Sequence, residues 1–235
     1  MADNSKRMKK IAEDIKEIGD NITANAALDI LRDMHKKNGV KFDQTVELVL
    51  ALSIDPRSSS VRGAKAVPNS LGKNITVCCY TNDEDNAAIT EMGVDAVGGE
   101  ELLNSIINGE QKCDLLITLK KEMAKIGKFG RQLGGKGLMP NPKDGTIAED
   151  LKQLKTIIQS SKIGIAQFKN DKAGIVHVAI GKITASNDAL VENLKSIVAE
   201  VKRLKPAKAK GKYIKKVYLS TTMGPSILVS PLEVE

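Results

Sequence analysis

Phe42-Asp-Gln-Thr-Val-Glu-Leu-Val-Leu-Ala-Leu-Ser-Ile54 places an apolar side chain at every second position, from Val46 through Leu48, Leu50 and Leu52 to Ile54. Successive side chains of an extended chain point to opposite faces, so this register predicts a strand with one buried face and with Thr45, Glu47 and Ser53 among the residues of the other. Upstream, Thr23 to Lys37 shows helical spacing in Ala26, Ala27, Ile30, Leu31 and Met34, and Asn38-Gly39 is its stop signal. One strand with one wet face needs neighbours. The C-terminal third supplies them: Ile163 to Lys169 and Ile175 to Ile183 read as two strands joined at the turn-forming Asn170-Asp-Lys-Ala-Gly174. A long helix follows from Asn187 to Leu204, N-capped by Ser186 or Asn187, then strands from Lys212 to Ser220 and from Ile227 to Val234. Neither outer third is complete alone. Residues 1–67 and 161–235 are therefore expected to build one discontinuous α+β domain, left near Val67-Pro-Asn-Ser-Leu-Gly72 and re-entered around Ser160-Ser161.

Between these crossings, residues 68–160 alternate strand and helix signals. Asn74 to Tyr80, Val94 to Val97 and Cys113 to Leu119 read as strands, and Asp83 to Met92, Glu100 to Asn108, Lys120 to Gly127 and Ala148 to Ser160 as helices. Such alternation predicts a small parallel sheet covered by helices. It is a Rossmann-like layout without a G-x-G-x-x-G.

At 235 residues the chain is long enough for two domains with separate cores. Its charge is unevenly spread: 12 cations against 10 acids in residues 1–67, 11 against 13 in 68–160, and 13 against 6 in 161–235. The net +7 thus resides in the outer parts, and between Val201 and Leu232 there are eight cations and no acid. That asymmetry predicts a polyanionic partner for the outer domain. Three phenylalanines, three tyrosines and no tryptophan are too few for a broad base-stacking platform, so folded RNA read by its shape and backbone fits better than single strands. Adjacent Cys78 and Cys79 would face opposite ways in a strand, and with Cys113 they suit neither a disulfide framework nor a metal site. His35 and His177 have no zinc-type spacing, so no metal or cofactor is expected. No apolar run approaches a membrane span, and the N-terminus lacks a secretory core, which predicts a cytoplasmic protein.

Gly130-Arg-Gln-Leu-Gly-Gly-Lys-Gly-Leu-Met-Pro-Asn-Pro-Lys-Asp-Gly145 reads as a built loop, rich in glycine and closed by Pro140 and Pro142, which should forbid a helix start. It nearly spells a phosphate loop, yet Gly137 stands where a hydroxyl should meet magnesium, and helix-like sequence separates it from the preceding strand. Gly137-Leu-Met-Pro-Asn-Pro-Lys143 with Gly145-Thr146 instead resembles the signature of the large-subunit ribosomal protein L-one family, bacterial type. The likeness continues through Ile54-Asp-Pro-Arg57, Val61-Arg-Gly63, Asn170-Asp-Lys172, Gly174-Ile-Val-His177, Lys205-Pro206, Tyr213-Ile-Lys-Lys216 and Ser220-Thr-Thr-Met-Gly224. Gly135-Lys136 departs from the pair usual in that family.

The resemblance implies an α+β outer domain with an inserted three-layer α/β domain. It further implies a non-enzymatic constituent of the large ribosomal subunit that binds ribosomal RNA at the mobile stalk, assists release of deacylated exit-site tRNA, and represses its own messenger RNA. It is expected to be a monomer when free. Candidate RNA-binding residues are Lys41, Phe42, Thr45, Glu47, Asn170, Asp171, Lys172, His177, Lys212, Lys215, Lys216, Ser220, Thr221, Thr222, Met223 and Gly224. Phe42 could cap the core or stack on a ribose, and the family likeness favours the second. Lysines 212, 215 and 216 read as phosphate contacts. Arg131, Lys136 and Lys143 belong either to a secondary RNA contact or to a structural loop. A nucleotide-binding enzyme on the insert and a general basic RNA chaperone are the competing readings.

Overall fold

The computed structural model describes residues 22–37, 40–56, 60–81, 89–90, 92–207, 209 and 211–230. Along these the elements are α1 (Ala24–Lys37), β1 (Thr45–Leu52), β2 (Arg62–Ala66), β3 (Val77–Tyr80), β4 (Ala96–Gly98), α2 (Glu100–Asn108) and β5 (Leu115–Leu119). Then come α3 (Met123–Ile126), α4 (Gly130–Gly135), β6 (Ile147–Ala148), α5 (Leu151–Ile163), β7 (Ile165–Lys169), β8 (Ile175–Lys182), α6 (Asn187–Arg203), β9 (Ile214–Thr221) and β10 (Ser226–Val229). Most of the helix expected over Asp83 to Met92, the Asn38-Gly39 stop, Arg57, Lys208, Lys210 and the end of the last strand lie outside the described residues.

The chain divides into two units, one from residues up to Gly72 and from Ala166 onward, the other Lys73–Ile165. In the first, four strands in the order β10-β9-β1-β8 form an antiparallel sheet. Val46, Leu48, Leu50 and Leu52 of β1 are buried and the residues between them are half-exposed. A one-residue slip would turn all four to water, at about 1.5–3 kcal/mol each, so the register is strongly specified. The buried face joins Ala27, Leu28 and Leu31 of α1 with Leu190, Leu194, Ile197, Val198 and Val201 of α6 in one core. Ser186 caps α6, its hydroxyl accepting from the Ala189 N–H at 3.3 Å.

Residues 165–169 and 175–182 do not form the hairpin expected of them. β7 pairs with β2 in a separate two-stranded sheet, β8 pairs with β1, and between the two runs only the bridge Asn170–Val176 forms. Asn170 causes the divergence, because its N–H donates to the Val61 carbonyl and its Oδ1 accepts from the Val61 N–H, at 2.9 and 2.7 Å, fixing it to the segment entering β2.

In the second unit β4-β3-β5-β6 are all parallel. Every residue of β3 is buried, as an inner parallel strand covered on both faces requires. Cys79 packs with Ile117, Leu154 and Ile158 on one face, and Cys78 with Leu103, Ile106, Ile126 and Leu133 on the other. Helix α5 begins at Leu151, later than Ala148, because Ile147–Ala148 is recruited as edge strand β6 beside β5.

The glycine-rich stretch is also corrected. Gly130–Gly135 is helical, and Pro142–Asp144 is a 3-10 turn that opens on the very proline expected to forbid it. A first-turn proline loses no helical hydrogen bond and brings a suitable φ. Three glycines weaken α4, but Leu133 is fully buried in the core below it, so packing overrides propensity.

Candidate nucleic-acid interface

The face of the antiparallel sheet opposite its buried side carries three cross-strand rows. Glu47 lies between Ala179 and Ser220, Val49 between His177 and Tyr218, and Ala51 between Ile175 and Lys216. From Thr45 to Ala51 the strand advances about 20 Å, too long a surface for one nucleotide and suited to a folded RNA outline. The candidate residues therefore fall into two groups at opposite ends of the sheet, with Glu47, His177 and Ser220 between them.

At the Thr45 end, Phe42 is 50% exposed and Met223 48% exposed, an unusual pair of apolar side chains left in water beside a polar strand end. Lys41 is exposed next to Phe42. The turn that carries Met223 is tied to β1: the Thr222 N–H donates to the Thr45 carbonyl, and the Thr45 N–H donates to the Thr222 hydroxyl, both at 3.2 Å. Gly224 closes the turn by donating to the Thr221 carbonyl at 3.0 Å, and a Cβ there would collide with Thr221 Oγ1. A larger residue there would have to turn the Thr221 hydroxyl aside. Lys182 Nζ donates to Thr45 Oγ1 at 3.1 Å and to the Asp43 carbonyl at 3.2 Å, bracing the same strand end.

At the other end the turn after Asn170 borders an open cleft of about 810 Å³ lined by Pro56, Ser60, Lys169, Asn170, Asp171 and Lys172. Asp171 Oδ1 accepts from the N–H groups of Ala173 and Ile175, each at 2.8 Å. The Ile175 bond first, then that of Ala173 and the nearby His177, hold the Asp171 carboxyl below its ordinary range. Gly174, at φ +77°, supplies the left-handed residue that lets the turn return toward β8. Exposed Lys212, Lys215 and Lys216 stand at this same end, where Ile214 pairs with Leu52; Lys215 is the extra residue of a bulge.

Two candidates turn inward. Thr221 and Asn170 are 5% and 8% exposed, and the Asn170 amide is engaged with Val61 and with the Asp171 carbonyl, so both hold the surface from behind rather than line it. On the insert, Lys136 Nζ donates to the carbonyls of Ile106 and Ile107 at 2.8 Å each, capping the C-terminus of α2 where the helix dipole favours a cation. That gives Lys136 a structural post. Arg131 is exposed, and the Lys143 side chain lies outside the described residues.

Sequence reasoning missed Gln44, Lys182 and Tyr218. Gln44 shares the even register of Val46 and Leu48, the parity that marks it as buried, and Tyr218 alternates with Lys216 and Ser220 on the open face. Among the described residues no cluster of three or more His, Cys, Asp or Glu could hold a metal ion, and no helix is long and apolar enough to cross a membrane.

Residues 31–225 match the family model described as Ribosomal protein L1p/L10e family. The chain is 39% identical over 234 residues to the large ribosomal subunit protein uL1 of Maridesulfovibrio salexigens, covering 99% of this chain and 97% of that protein. It is 40% identical over 231 residues to proteins of the same name from Francisella philomiragia and Thioalkalivibrio sulfidiphilus, with 97% of each chain covered.

Proposed function

The chain belongs to the ribosomal protein L1p/L10e family, and from that membership we propose that it is a structural constituent of the large ribosomal subunit in the cytoplasm, binding ribosomal RNA at the mobile stalk. The observation that carries the RNA-binding part is the half-exposed sheet face with exposed Phe42 and Met223 at one end and a cationic, polar turn cluster at the other. A folded RNA would lay riboses against the Phe42 and Met223 side chains, hydrogen-bond the Thr45 and Thr222 end, and offer phosphates to Lys172, Lys212, Lys215 and Lys216. Specificity then rests on short, fixed polar groups, and the lysines add affinity without sequence information.

Assistance to deacylated tRNA leaving the exit site, and repression of the chain's own messenger RNA through a copy of the ribosomal site, belong to the same reading. Exposed Lys121, Lys128 and Arg131 on the insert are cations a tRNA backbone could use. Occupation of Lys136 by two carbonyls argues against a phosphate-binding enzyme. The test is sedimentation with large subunits together with protection of one hairpin region of large-subunit RNA from cleavage. Failure to sediment, or uniform weak protection of all RNA, overturns the proposal in favour of a general basic RNA chaperone.

A further inference from the structure

Gln44 is 1% exposed and makes three hydrogen bonds to three different elements. Its carbonyl accepts from the Ile183 N–H at 2.9 Å, its Oε1 accepts from the Met223 N–H at 2.8 Å, and its Nε2 lies 2.6 Å from His35 Nδ1. An amide nitrogen only donates, so His35 Nδ1 accepts and the ring proton sits on Nε2. A buried residue between Phe42 and Thr45 thereby ties the Met223 turn to the last turn of α1 and to the end of β8. Backbone bonds of Thr222 and Gly224 hold the residues on either side, and the Gln44 bond engages the Met223 N–H itself from the buried side.

We propose that Gln44 is a positioning residue of the RNA interface, clamping the Met223 peptide against His35 so that the exposed side chains of Phe42 and Met223 are presented together. This rests on the proposed RNA-binding function. In the turn between β9 and β10, one buried amide with both its polar ends engaged couples the Met223 peptide to the core rather than to solvent. Phe42 is two residues from Gln44 on the same segment, so a single clamp sets both apolar contacts. Ordering them before binding removes a cost that RNA would otherwise bear.

The experiment uses the full chain and three variants, Gln44→Leu, Gln44→Glu and His35→Phe, each first shown to unfold near the wild-type temperature. Amide hydrogen exchange at Met223 is measured without RNA, and affinity is measured for a large-subunit ribosomal RNA transcript and for polyuridylate. Gln44→Leu should speed Met223 exchange and weaken binding of the ribosomal transcript about tenfold while leaving polyuridylate within about twofold. Gln44→Glu keeps the acceptor for Met223 and should restore slow exchange and most of the affinity. His35→Phe, which removes only the far anchor, should fall between. Met223 exchange unchanged in Gln44→Leu overturns the clamp, and so does loosened exchange with undiminished transcript affinity. If the wild type does not prefer the transcript over polyuridylate, the proposed function falls, while the exchange data still decide whether Gln44 holds the turn. Should Gln44→Leu fail to fold, His35→Phe and Gln44→Glu decide the matter by the same two readouts.

Discussion

Strands β1 and β3 are both central and both apolar, yet they meet water differently. β1 buries every second residue and leaves Glu47, Val49 and Ala51 half-exposed, whereas all four residues of β3 are buried. Among the described residues, α1 and α6 pack on one face of the antiparallel sheet, and the other face keeps half-exposed side chains on regular backbone. The parallel sheet is sandwiched between two cores, and any partner must use its edges and loops. If a large folded RNA is read by rigid backbone, as proposed, the first unit suits it, because there the half-exposed surface and the scaffold are the same sheet.

The largest test of this contrast places one polar side chain on each sheet. Ile117→Asn, at a fully buried position of β5, should cost about 4 kcal/mol or more and unfold the insert, whereas Val49→Asn on the open face should cost about 1 kcal/mol or less, both read by chemical denaturation. Comparable losses would mean that the open face is not open in solution.

Next in size is Gly224→Ala. The added Cβ collides with Thr221 Oγ1, so transcript affinity should drop by about tenfold or more, and the double variant Thr221→Ala with Gly224→Ala should recover part of it. No recovery would place the fault in the backbone rather than in that collision.

A smaller effect separates shape from charge on the same surface. Thr222→Val removes a hydroxyl that bonds the Thr45 backbone and should cost about 1–2 kcal/mol of specific binding with little change for unrelated RNA. Lys215→Ala should cost about 1 kcal/mol or less and act alike on both, with the difference shrinking as salt rises. Equal behaviour of the two variants would remove the distinction between reading and holding.

Thiol chemistry sharpens the other side. Burial pushes the Cys79 thiol up to about 12, so it stays protonated and unreactive at pH 8 until the insert unfolds. Cys113 is half-exposed, and a hydrogen bond from Cys78 draws its thiol below the ordinary value. Alkylation followed by mass spectrometry should modify Cys113 first, and early labelling of Cys79 would contradict the two-sided cover of β3.

The gentlest perturbation is acid. Because its folded value is depressed, ionised Asp171 supports its turn throughout the range above the ordinary carboxylate value of about 3.9. That support is lost only as pH falls further, through the depressed folded value. The amide resonances of Ala173 and Ile175 should therefore hold steady to about pH 4 and shift below it.

The parts legible in the sequence were those where one period repeats without interruption. β1 announced itself through Val46, Leu48, Leu50 and Leu52; α2 matched its expected span of Glu100 to Asn108; and the cap of α6 was narrowed to Ser186 or Asn187, of which Ser186 serves. Arg62-Gly-Ala-Lys-Ala66 has too few strand formers to be read as β2, which exists because β7 pairs with it. Local pattern is silent about partners, and for that reason β7 and β8 looked like a hairpin although Asn170 directs them to different sheets. The glycines of α4 concealed a helix that Leu133 holds down. Residue type singled out Phe42, Thr222 and Met223, which are exposed, but it also singled out Thr221 and Asn170, whose burial could be told only from where their neighbours lie.

The position of β1 in its sheet also sets a timetable for synthesis. Its partners begin at Ile175 and end at Thr221, so about 170 residues of chain separate Leu52 from the close of the ladder. At a bacterial or similar pace of about 5–20 residues per second, roughly 10–30 s pass between emergence of the strand and arrival of its last partner. The insert, whose strands lie close together in the chain, can finish inside that interval. Throughout it Val46, Leu48, Leu50 and Leu52 can be covered only by α1 and, late, by β8, so the strand reaches its full pairing only when most of the chain has been made.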